Sequence, residues 1–255
     1  MAFSFVKASF SSSAALVASF ERFSSAILVS TYSSPRSARW ISVQPARAKV
    51  EIKRIVMDMV DENCYIIYKD GRGLIVDPGE GFERIQKAVE ELNVKIEAIL
   101  LTHAHFDHIM SLDECRKYYN VPVYISGHER DWLSNPDFNG ATSFRLRRAP
   151  ITDPAEFEFE ENKKYELAGM EFTVLPTPGH SPGGVSFDFG KFIVVGDALF
   201  RSGFGRYDLY GSDFKALKNS LGNVLFKLDG AKIVYPGHGD ETTIKRERDL
   251  NLIGY

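Results

Sequence analysis

The sequence predicts a mixed α/β fold in which two β-sheets pack against each other and helices cover their outer faces. Short runs rich in Val and Ile alternate with segments of helical periodicity in both halves of the 255-residue chain. Hydrophobic residues make up 44% of the chain and charged residues 25%, a composition typical of a globular domain rather than of a disordered chain. Alternating strands and helices are stable as stacked layers, so we expect layered sheets with outer helices.

The first half contains five predicted strands and two predicted helices. Runs rich in Val and Ile, separated by turn residues, place the strands at 49–57, 63–68, 73–76, 98–101 and 121–125. Apolar residues recur at helical spacing in 82–92 and 109–119. The next stretch, 126–165, is less regular and contains three prolines, so we expect an insertion over one face of the fold.

The second half repeats this alternation of strands and helices. Strands are predicted at 170–175, 185–189, 192–195 and 232–235. A helix is predicted at 214–228. Asp213 or Ser212 is its predicted N-cap, because short polar side chains accept hydrogen bonds from the N–H groups of a first turn.

Residues 1–47 differ in composition from the rest of the chain. They are rich in Ser, Ala and Phe and contain five basic residues but one acidic residue, a formal charge of +4, which leaves −7 for the remainder of a chain whose total is −3. Serine-rich, acid-poor leaders that carry arginines are typical of organelle transit peptides. We expect 1–47 to be a disordered transit peptide, for a plastid rather than a mitochondrion, and 48–255 to be the folded domain. A disordered tail without an address is the alternative.

The composition also excludes several classes of protein. The acidic remainder has no basic stripe of the kind that binds nucleic acid. No apolar run approaches the roughly 20 residues that span a bilayer, so we expect a soluble protein that does not act on a membrane. Cys64 and Cys115 do not make a disulfide framework, and we expect both to be reduced and buried.

Four predicted strands run into turns that carry histidine or aspartate. These turns are 102-THAHFDH-108, 176-PTPGHSPGG-184, 196-GD-197 and 236-PGHGDE-241. They contain five of the six histidines, and we expect the sixth, His128, to be structural or exposed. Loops at strand ends are where a rigid sheet can direct several side chains to one point. The concentration of histidine in these turns therefore predicts a metal site.

The ligand types indicate which metals this site accepts. Imidazole and carboxylate groups without thiolates suit Zn²⁺, Mn²⁺ or Fe²⁺. Polar groups beside a buried strand lose hydration, and metal coordination compensates that loss.

The four motifs, in this order, resemble the metallo-β-lactamase superfamily, whose signature is HxHxDH followed by His, Asp and His. The resemblance extends over nearly all of the chain after residue 47 and implies a four-layer αββα sandwich with a dinuclear metal site at the sheet edges. The implied cofactors are two divalent metal ions. Zinc is the expected metal, and iron and manganese are the alternatives. The implied ligands are, for the first metal, His103, His105 and His180, for the second metal, Asp107, His108 and His238, and for both, as a bridge, Asp197.

The segment 197-DALFRSGFGRYDLYGSD-213 resembles the glyoxalase II-like branch, the hydroxyacylglutathione hydrolases. In that branch a bridging aspartate is typical, and a cation at the position of Arg206 contacts glutathione. Asp208 stands where the branch places a contacting tyrosine, and Tyr207 is one position away, so Arg206 and Tyr207 are the candidate substrate-binding residues. The chain has 17 residues after His238 and resembles the short, single-domain members, which lack the helical domain that supplies much of the glutathione site.

This resemblance implies hydrolysis of a small-molecule thioester such as S-lactoylglutathione, giving a hydroxy acid and glutathione. Two metals about 3.5–4 Å apart lower the pKa of a bridging water from 15.7 towards roughly 7, and the metal-bound hydroxide attacks the thioester carbonyl. Asp107 is the candidate catalytic residue, because it can orient the hydroxide as well as bind metal. The sequence does not indicate an oligomeric state.

Two alternatives use the same residues. His103, His180 and Asp197 form a set of two histidines and one carboxylate, which holds Fe²⁺ with positions open for O₂. The persulfide dioxygenases, a related branch of the superfamily, resemble the chain in this respect. The other alternative is a relative that binds metal without catalysis, and the presence of all seven ligand residues weighs against it.

Overall fold

Two six-stranded β-sheets form the centre of the computed structural model, which describes residues 49–250 and Gly254. In the first sheet the strands follow one another in chain order: β1 (Glu51–Val56), β2 (Asn63–Lys69), β3 (Arg72–Val76), β4 (Lys95–Leu100), β5 (Val123–Ser126) and β6 (Phe157–Phe159). Strands β1 to β3 pair antiparallel, and strands β3 to β6 pair parallel.

The remaining strands belong to the second sheet and to a short ribbon. They are β7 (Lys164–Leu167), β8 (Met170–Pro176), β9 (Val185–Asp188), β10 (Phe192–Gly196), β11 (Leu199–Phe200), β12 (Gly203–Phe204), β13 (Ile233–Pro236) and β14 (Thr242–Thr243). The sheet order is β14-β13-β10-β9-β8-β7, and β11 and β12 pair only with each other. Strands β10 and β13 are parallel, and the other neighbours in this sheet are antiparallel.

Five α-helices connect or follow these strands. They are α1 (Phe82–Leu92), α2 (Phe106–Ile109), α3 (Leu112–Tyr119), α4 (Phe214–Asn219) and α5 (Ile244–Leu250). A 3₁₀ helix, Gly127–Ser134, follows β5. Helix α4 continues directly into a π-helical turn, Ser220–Val224, and a 3₁₀ turn, Leu225–Lys227.

Strand alternation distributes the apolar side chains over two faces of each sheet. In β2, Tyr65 and Ile67 point between the sheets while Ile66 points towards the helices, because successive side chains of a strand face opposite ways. The core between the sheets also includes Leu74 of β3 and Phe187 of β9, both fully buried. Full burial of a side chain such as Phe187 contributes roughly 1.5–3 kcal/mol to stability.

Helices cover the outer face of each sheet. Helices α1 and α3 pack Ile85 and Leu112 into the cluster on the first sheet. Helices α4 and α5 pack Leu217 and Ile244 into the cluster on the second sheet. The layer order is therefore αββα, which confirms the predicted fold class.

The helix predicted at 109–119 begins at Leu112, three residues later than expected, and a separate short helix precedes it. Helix α2 ends at Ile109 and α3 begins at Leu112. Between them the N–H of Ser111 donates to the carbonyl of Pro78 at 3.0 Å, so it does not continue the helix. Helix α2 is therefore separate from α3, and it contains Asp107 and His108 of the first motif.

The helix predicted at 214–228 begins where expected but widens along its length. Asp213 is the N-cap, and its carboxylate accepts from the N–H groups of the following residues. Leu217, Leu221 and Leu225 are all buried against the second sheet. A spacing of four residues drifts by about 40° per step on an α-helix, and the π turn offsets that drift so that the three leucines keep one face.

Four further expectations concern other parts of the chain. The stretch 126–165, expected to be irregular, contains the 3₁₀ helix as well as β6 and β7. Cys64 and Cys115 are both buried free thiols, as predicted. Among the described residues, no helix combines the length and apolar character that crossing a membrane requires. The transit peptide predicted at 1–47 lies outside the described residues.

Candidate metal centre

Four strands deliver the polar turns to one edge of the two sheets. Strands β8 and β10 run in the same direction because each pairs antiparallel with β9, and β13 is parallel to β10. The turn after β4 is tied to the second sheet, since the N–H of Val185 donates to the carbonyl of Thr102 at 2.9 Å. The N–H of Gly237 likewise donates to the carbonyl of Gly196 at 2.8 Å. These bonds bring the four turns together.

All seven predicted ligand residues meet at this edge, as two groups of three and one residue between them. Within each group, one ligand atom of every member lies within 4.8 Å of those of the other two. The groups are His103, His105 and His180, and Asp107, His108 and His238. They are the two sets that the family resemblance implied.

Asp197 lies between the two groups. Its Oδ2 is 3.4 Å from Nε2 of His180, a member of the first group. Its Oδ1 is 3.4 Å from Nε2 of His108, and its Oδ2 is 3.5 Å from Nε2 of His238, both members of the second group. One carboxylate is therefore in reach of ligand atoms on both sides.

Backbone carbonyls orient two of the histidines. Nδ1 of His180 lies 2.8 Å from the carbonyl oxygen of Arg206, and Nδ1 of His238 lies 3.1 Å from that of Val60. A carbonyl only accepts, so in both residues Nδ1–H donates, and the lone pair of Nε2 is directed into the cluster.

A chain of side-chain hydrogen bonds orients two more. Thr102 donates its hydroxyl to Asp77 at 2.6 Å, so its oxygen accepts from Nδ1–H of His103 at 3.0 Å. Asp77 also lies 3.1 Å from Nδ1 of His108 and accepts from the Thr102 backbone N–H. Partners behind the ligands fix ring orientation and tautomer, and Asp77 serves two histidines in this way.

Atoms at the centre of the cluster have no hydrogen-bond partner among the described residues. They are Nε2 of His103, Nε2 of His108 and Oδ1 of Asp197, all buried. Isolated polar atoms are costly in a protein interior, and a cation that accepts their lone pairs removes the cost. The imidazole and carboxylate donor set suits zinc, iron or manganese. The cluster is therefore able to bind metal ions.

Burial and the neighbouring carboxylates shift the pKa values of the histidines in different directions. Burial holds the pKa of His103 well below its usual range and lowers the pKa of His105 to about 3. These rings are neutral at physiological pH, as metal ligands must be. Burial also opposes a charge on His108, but the carboxylates of Asp107 and Asp197 raise its pKa well above the usual value. The negative field that draws a proton to His108 also attracts a divalent cation.

Two glycines allow backbone to approach the cluster closely. A Cβ at Gly237 would lie 2.1 Å from Oδ1 of Asp197 and 2.8 Å from the His108 ring. A Cβ at Gly205 would lie 1.9 Å from the carbonyl oxygen of Asp197 and 2.9 Å from Nδ1 of His180. Any side chain at either position would displace ligand groups.

Sequence reasoning missed three buried acidic residues beside the cluster, Glu62, Asp77 and Glu129. Asp77 follows β3 as the ligands follow their own strands, and that position was the available signal. The carboxylate of Glu129 accepts from the N–H of Ala104 at 2.6 Å and of Gly183 at 2.7 Å, which joins two ligand turns. Glu129 lies in a stretch without clear periodicity, so the sequence gave no indication of this role.

Glu62 is the least expected of the three. Its carboxyl group is fully buried, without a hydrogen-bond partner among the described residues, and lies 3.6 Å from Nδ1 of His108. Burial raises the pKa of Glu62 well above its usual value.

Two adjoining cavities open above the cluster. The inner cavity has a volume of about 240 Å³, and the outer cavity about 300 Å³. Apart from the ligands and Arg206, the described residues that line the inner cavity are apolar: Val60, Phe106, Phe144, Phe200 and Leu209. The outer cavity adds the polar side chains Ser143, Asp208 and Tyr210. The two share a wall, so together they form one cleft that ends at the cluster.

The structure places the two predicted substrate-binding residues differently. Arg206 lines both cavities, and its guanidinium lies 5.7 Å from the ring of Phe144. The ring of Tyr207 packs instead on Phe214, at 4.6 Å between centroids, and it does not occur among the described residues that line the cleft. His128 is exposed and 3.8 Å from Glu161, consistent with the expectation of no role at the centre.

A buried cluster of seven imidazole and carboxylate groups, at the edge of an αββα sandwich, defines a candidate metalloenzyme centre. Comparison with known proteins identifies the family. The profile described as the metallo-beta-lactamase superfamily matches residues 57–238. The chain belongs to the metallo-β-lactamase superfamily.

Two relatives illustrate the range of similar sequences. The "Probable metallo-hydrolase M6_Spy0554" of Streptococcus pyogenes is 42% identical over 207 residues, which cover 79% of this chain and 89% of that protein. The "Hydroxyacylglutathione hydrolase GloC" of Haemophilus influenzae is 31% identical over 205 residues, which cover 79% of this chain and 97% of that protein.

Solved structures show the same fold at similar identity. The B3 metallo-beta-lactamase BLEG-1 has a TM-score of 0.77 and 36% identity, covering 80% of this chain and 99% of that one. TTHA1623, in a di-iron-bound form, has a TM-score of 0.71 and 34% identity, covering 79% of this chain and 99% of that one.

Proposed function

We propose that this metallo-hydrolase cleaves small-molecule thioesters, with S-lactoylglutathione as the first substrate to test. The observation that carries the proposal is the pair of three-residue groups joined by Asp197 at the end of an apolar cleft. The similarity to the hydroxyacylglutathione hydrolase of Haemophilus influenzae supports a thioester over other acyl compounds.

We propose that each group would hold one divalent cation and that Asp197 would be a ligand available to both groups, with zinc as the metal and iron or manganese as alternatives. When bound, the cations would supply a water of lowered pKa and a positive centre beside the carbonyl oxygen. The reaction adds water across the acyl bond. A carbon–oxygen bond forms, the carbon–sulfur bond breaks, and the proton released by the water passes to the departing thiolate.

Asp107 is the proposed catalytic residue of the chain. Its carboxylate lines the inner cavity, and its Oδ2 lies 3.2 Å from Nε2 of His238. From this position it can accept a hydrogen bond from the attacking water and direct the oxygen towards the carbonyl carbon. The side chains of Val60, Phe144 and Phe200 give the reacting carbonyl an apolar wall.

A panel of thioesters, assayed with purified protein of known metal content, tests the proposal. We expect metal-dependent release of free thiol from several thioesters, faster than cleavage of a β-lactam included because of the similarity to BLEG-1. Hydrolysis of the β-lactam alone, or thiol release that persists at full rate after complete metal removal, would overturn it.

Persulfide dioxygenation is the second candidate, because the cluster includes the donor set of a mononuclear iron site and a solved structure 34% identical to the chain binds iron, in a di-iron form. His180 and Asp197 lie 3.4 Å apart and, with His103, offer two histidines and one carboxylate. Oxygen uptake with glutathione persulfide, in protein that contains one iron per chain, would establish this activity. The absence of uptake in iron-loaded protein would exclude it.

We also propose that residues 1–47 direct the protein to an organelle, a plastid before a mitochondrion. Their positive charge and serine-rich composition support the proposal. A fluorescent protein fused after residue 47 should enter plastids when expressed in plant cells, and one fused to residues 48–255 should not. Cytosolic fluorescence from the first fusion would contradict it.

A further inference from the structure

Arg206 is the one Lys or Arg among the described residues that line the cleft. A substrate that carries carboxylates therefore has a single cationic side chain to pair with there. Arg206 stands in the wall that the inner and outer cavities share.

The guanidinium of Arg206 is already engaged. Its Nε donates to Oδ1 of Asp208 and its Nη2 donates to Oδ2, both at 2.9 Å. This two-bond geometry is the one that a substrate carboxylate would use to bind an arginine. The hydrogen bond from Arg206 also holds the pKa of Asp208 below its usual value, so Asp208 is ionised at neutral pH.

The rest of the outer cavity offers no replacement for this cation. Apart from His105, which belongs to the candidate metal centre, the other polar side chains that line it, Ser143 and Tyr210, are uncharged, and Phe138 and Phe144 are apolar. The ion pair therefore leaves the outer cavity polar but without net positive charge.

We propose that Asp208 masks Arg206 and disfavours thioesters whose thiol part carries a net negative charge, relative to thioesters of neutral thiols. This specificity role rests on the proposed thioester hydrolysis. Asp208 is a positioning residue in this role, because it acts on the substrate through Arg206.

The expected effect is moderate, since both side chains are more than half exposed, at 56% for Arg206 and 65% for Asp208. Exposed ion pairs are weakened by solvent, and their disruption changes affinity by up to about fivefold. Salt screens such pairs further, so the effect should shrink as ionic strength rises.

The experiment compares two thioesters with the same acyl group. One is a glutathione thioester, whose thiol part has a net negative charge, and the other is an N-acetylcysteamine thioester, whose thiol part is neutral. The variants are Asp208→Asn, the double variant Asp208→Asn with Arg206→Gln, and Glu166→Gln. The last is a matched control, because Glu166 is exposed on β7 and its replacement changes the net charge equally.

We expect Asp208→Asn to raise the ratio of kcat/KM for the glutathione thioester over the neutral thioester about fivefold, mainly through a lower KM. The double variant should lose this gain, and Glu166→Gln should not show it. A ratio within a factor of about 1.5 of the parent's, or a lower ratio, in Asp208→Asn overturns the masking role.

A binding measurement separates this failure from failure of the proposed function. Titration calorimetry with S-methylglutathione and with S-methyl-N-acetylcysteamine, which the protein cannot hydrolyse as thioesters, requires no turnover. Tighter binding of S-methylglutathione by Asp208→Asn, together with no hydrolysis of either thioester, would retain the masking role and reject thioester hydrolysis. Unchanged relative binding would reject the masking role, whatever the activity.

Discussion

The metal centre and the rim of the cleft differ in how firmly the fold holds them. At the centre, His103, His105 and His180 are buried, and groups behind the ligands orient most of their rings. At the rim, Arg206 and Asp208 are more than half exposed, and their main partners are each other. The centre is held by groups from several parts of the chain, including Asp77, Thr102 and the backbone carbonyl of Arg206, whereas the side chains of Arg206 and Asp208 are held within one loop.

Because of this difference, we expect the centre to determine the type of reaction and the rim to determine which substrate is preferred. A change at the centre alters buried ligands and the strand-end turns that carry them, so it affects metal binding and stability together. A change at the rim replaces exposed side chains at little cost in stability. We therefore expect large effects from substitutions at the centre and small, substrate-dependent effects at the rim.

Removal of the residue shared by both halves of the centre should have the largest effect. Asp197→Ala deletes the carboxylate that lies 3.4 Å from both His180 and His108. We expect kcat to fall about a thousandfold, the upper range for loss of one electrostatic group in an active site. The measurement is thiol release alongside metal content. Asp249→Ala, on the exposed part of α5, is the control, and a fall of less than tenfold in Asp197→Ala would show that the two groups act independently.

Metal removal should destabilise the centre and leave the rim unaffected. Chelation removes metal ions that bind only the folded state. At a metal concentration a thousand times the Kd, such binding raises the free energy of unfolding by about 4 kcal/mol. For a domain of this size that corresponds to a fall in Tm of about 8–16 °C. Differential scanning calorimetry before and after chelation measures it. An unchanged Tm after verified metal loss would mean that the hydrogen-bonded turns alone hold the cluster.

A residue behind the ligands should have an intermediate effect. Asp77→Asn removes the charge that faces Nδ1 of His108 and weakens the acceptor for Thr102. We expect metal affinity to fall between about tenfold and a hundredfold, the usual cost of losing such a partner. Competition with a metal chelator gives the affinity. Asp188→Asn, which alters a carboxylate paired with Lys232, serves as the comparison, and equal losses in both variants would indicate general destabilisation.

The difference between the centre and the rim also explains which parts of the site could be predicted from the sequence. Histidine is concentrated just after four strands, so the sequence predicted a metal site there, and the family resemblance implied the seven residues that the structure brings together. Glu129 could not, because its contacts with Ala104 and Gly183 depend on the path of an irregular stretch. The division between α2 and α3 also depends on a distant partner, the carbonyl of Pro78.

The rim was harder to predict because position in the sequence does not determine the direction of an exposed side chain. Tyr207 and Tyr210 are three residues apart and similarly exposed, at 50% and 55%. The ring of Tyr207 packs on Phe214, whereas the ring of Tyr210 stacks on Phe138 at 4.8 Å and lines the outer cavity. In the structure Tyr210 therefore lines the cleft, whereas the sequence resemblance led us to expect Tyr207 there.

Paired substitutions of these tyrosines should give the smallest effects and the sharpest test at the rim. We expect Tyr210→Ala to raise KM about threefold to fivefold with kcat nearly constant, because the wall of the outer cavity binds the substrate and its transition state alike. Tyr207→Ala should change KM by no more than about twofold, the usual range for a surface substitution. Steady-state kinetics on one thioester measures both. A larger change in KM for Tyr207→Ala than for Tyr210→Ala would contradict this prediction. It would mean that the loop at 206–210 changes conformation when substrate binds and brings Tyr207 into the cleft.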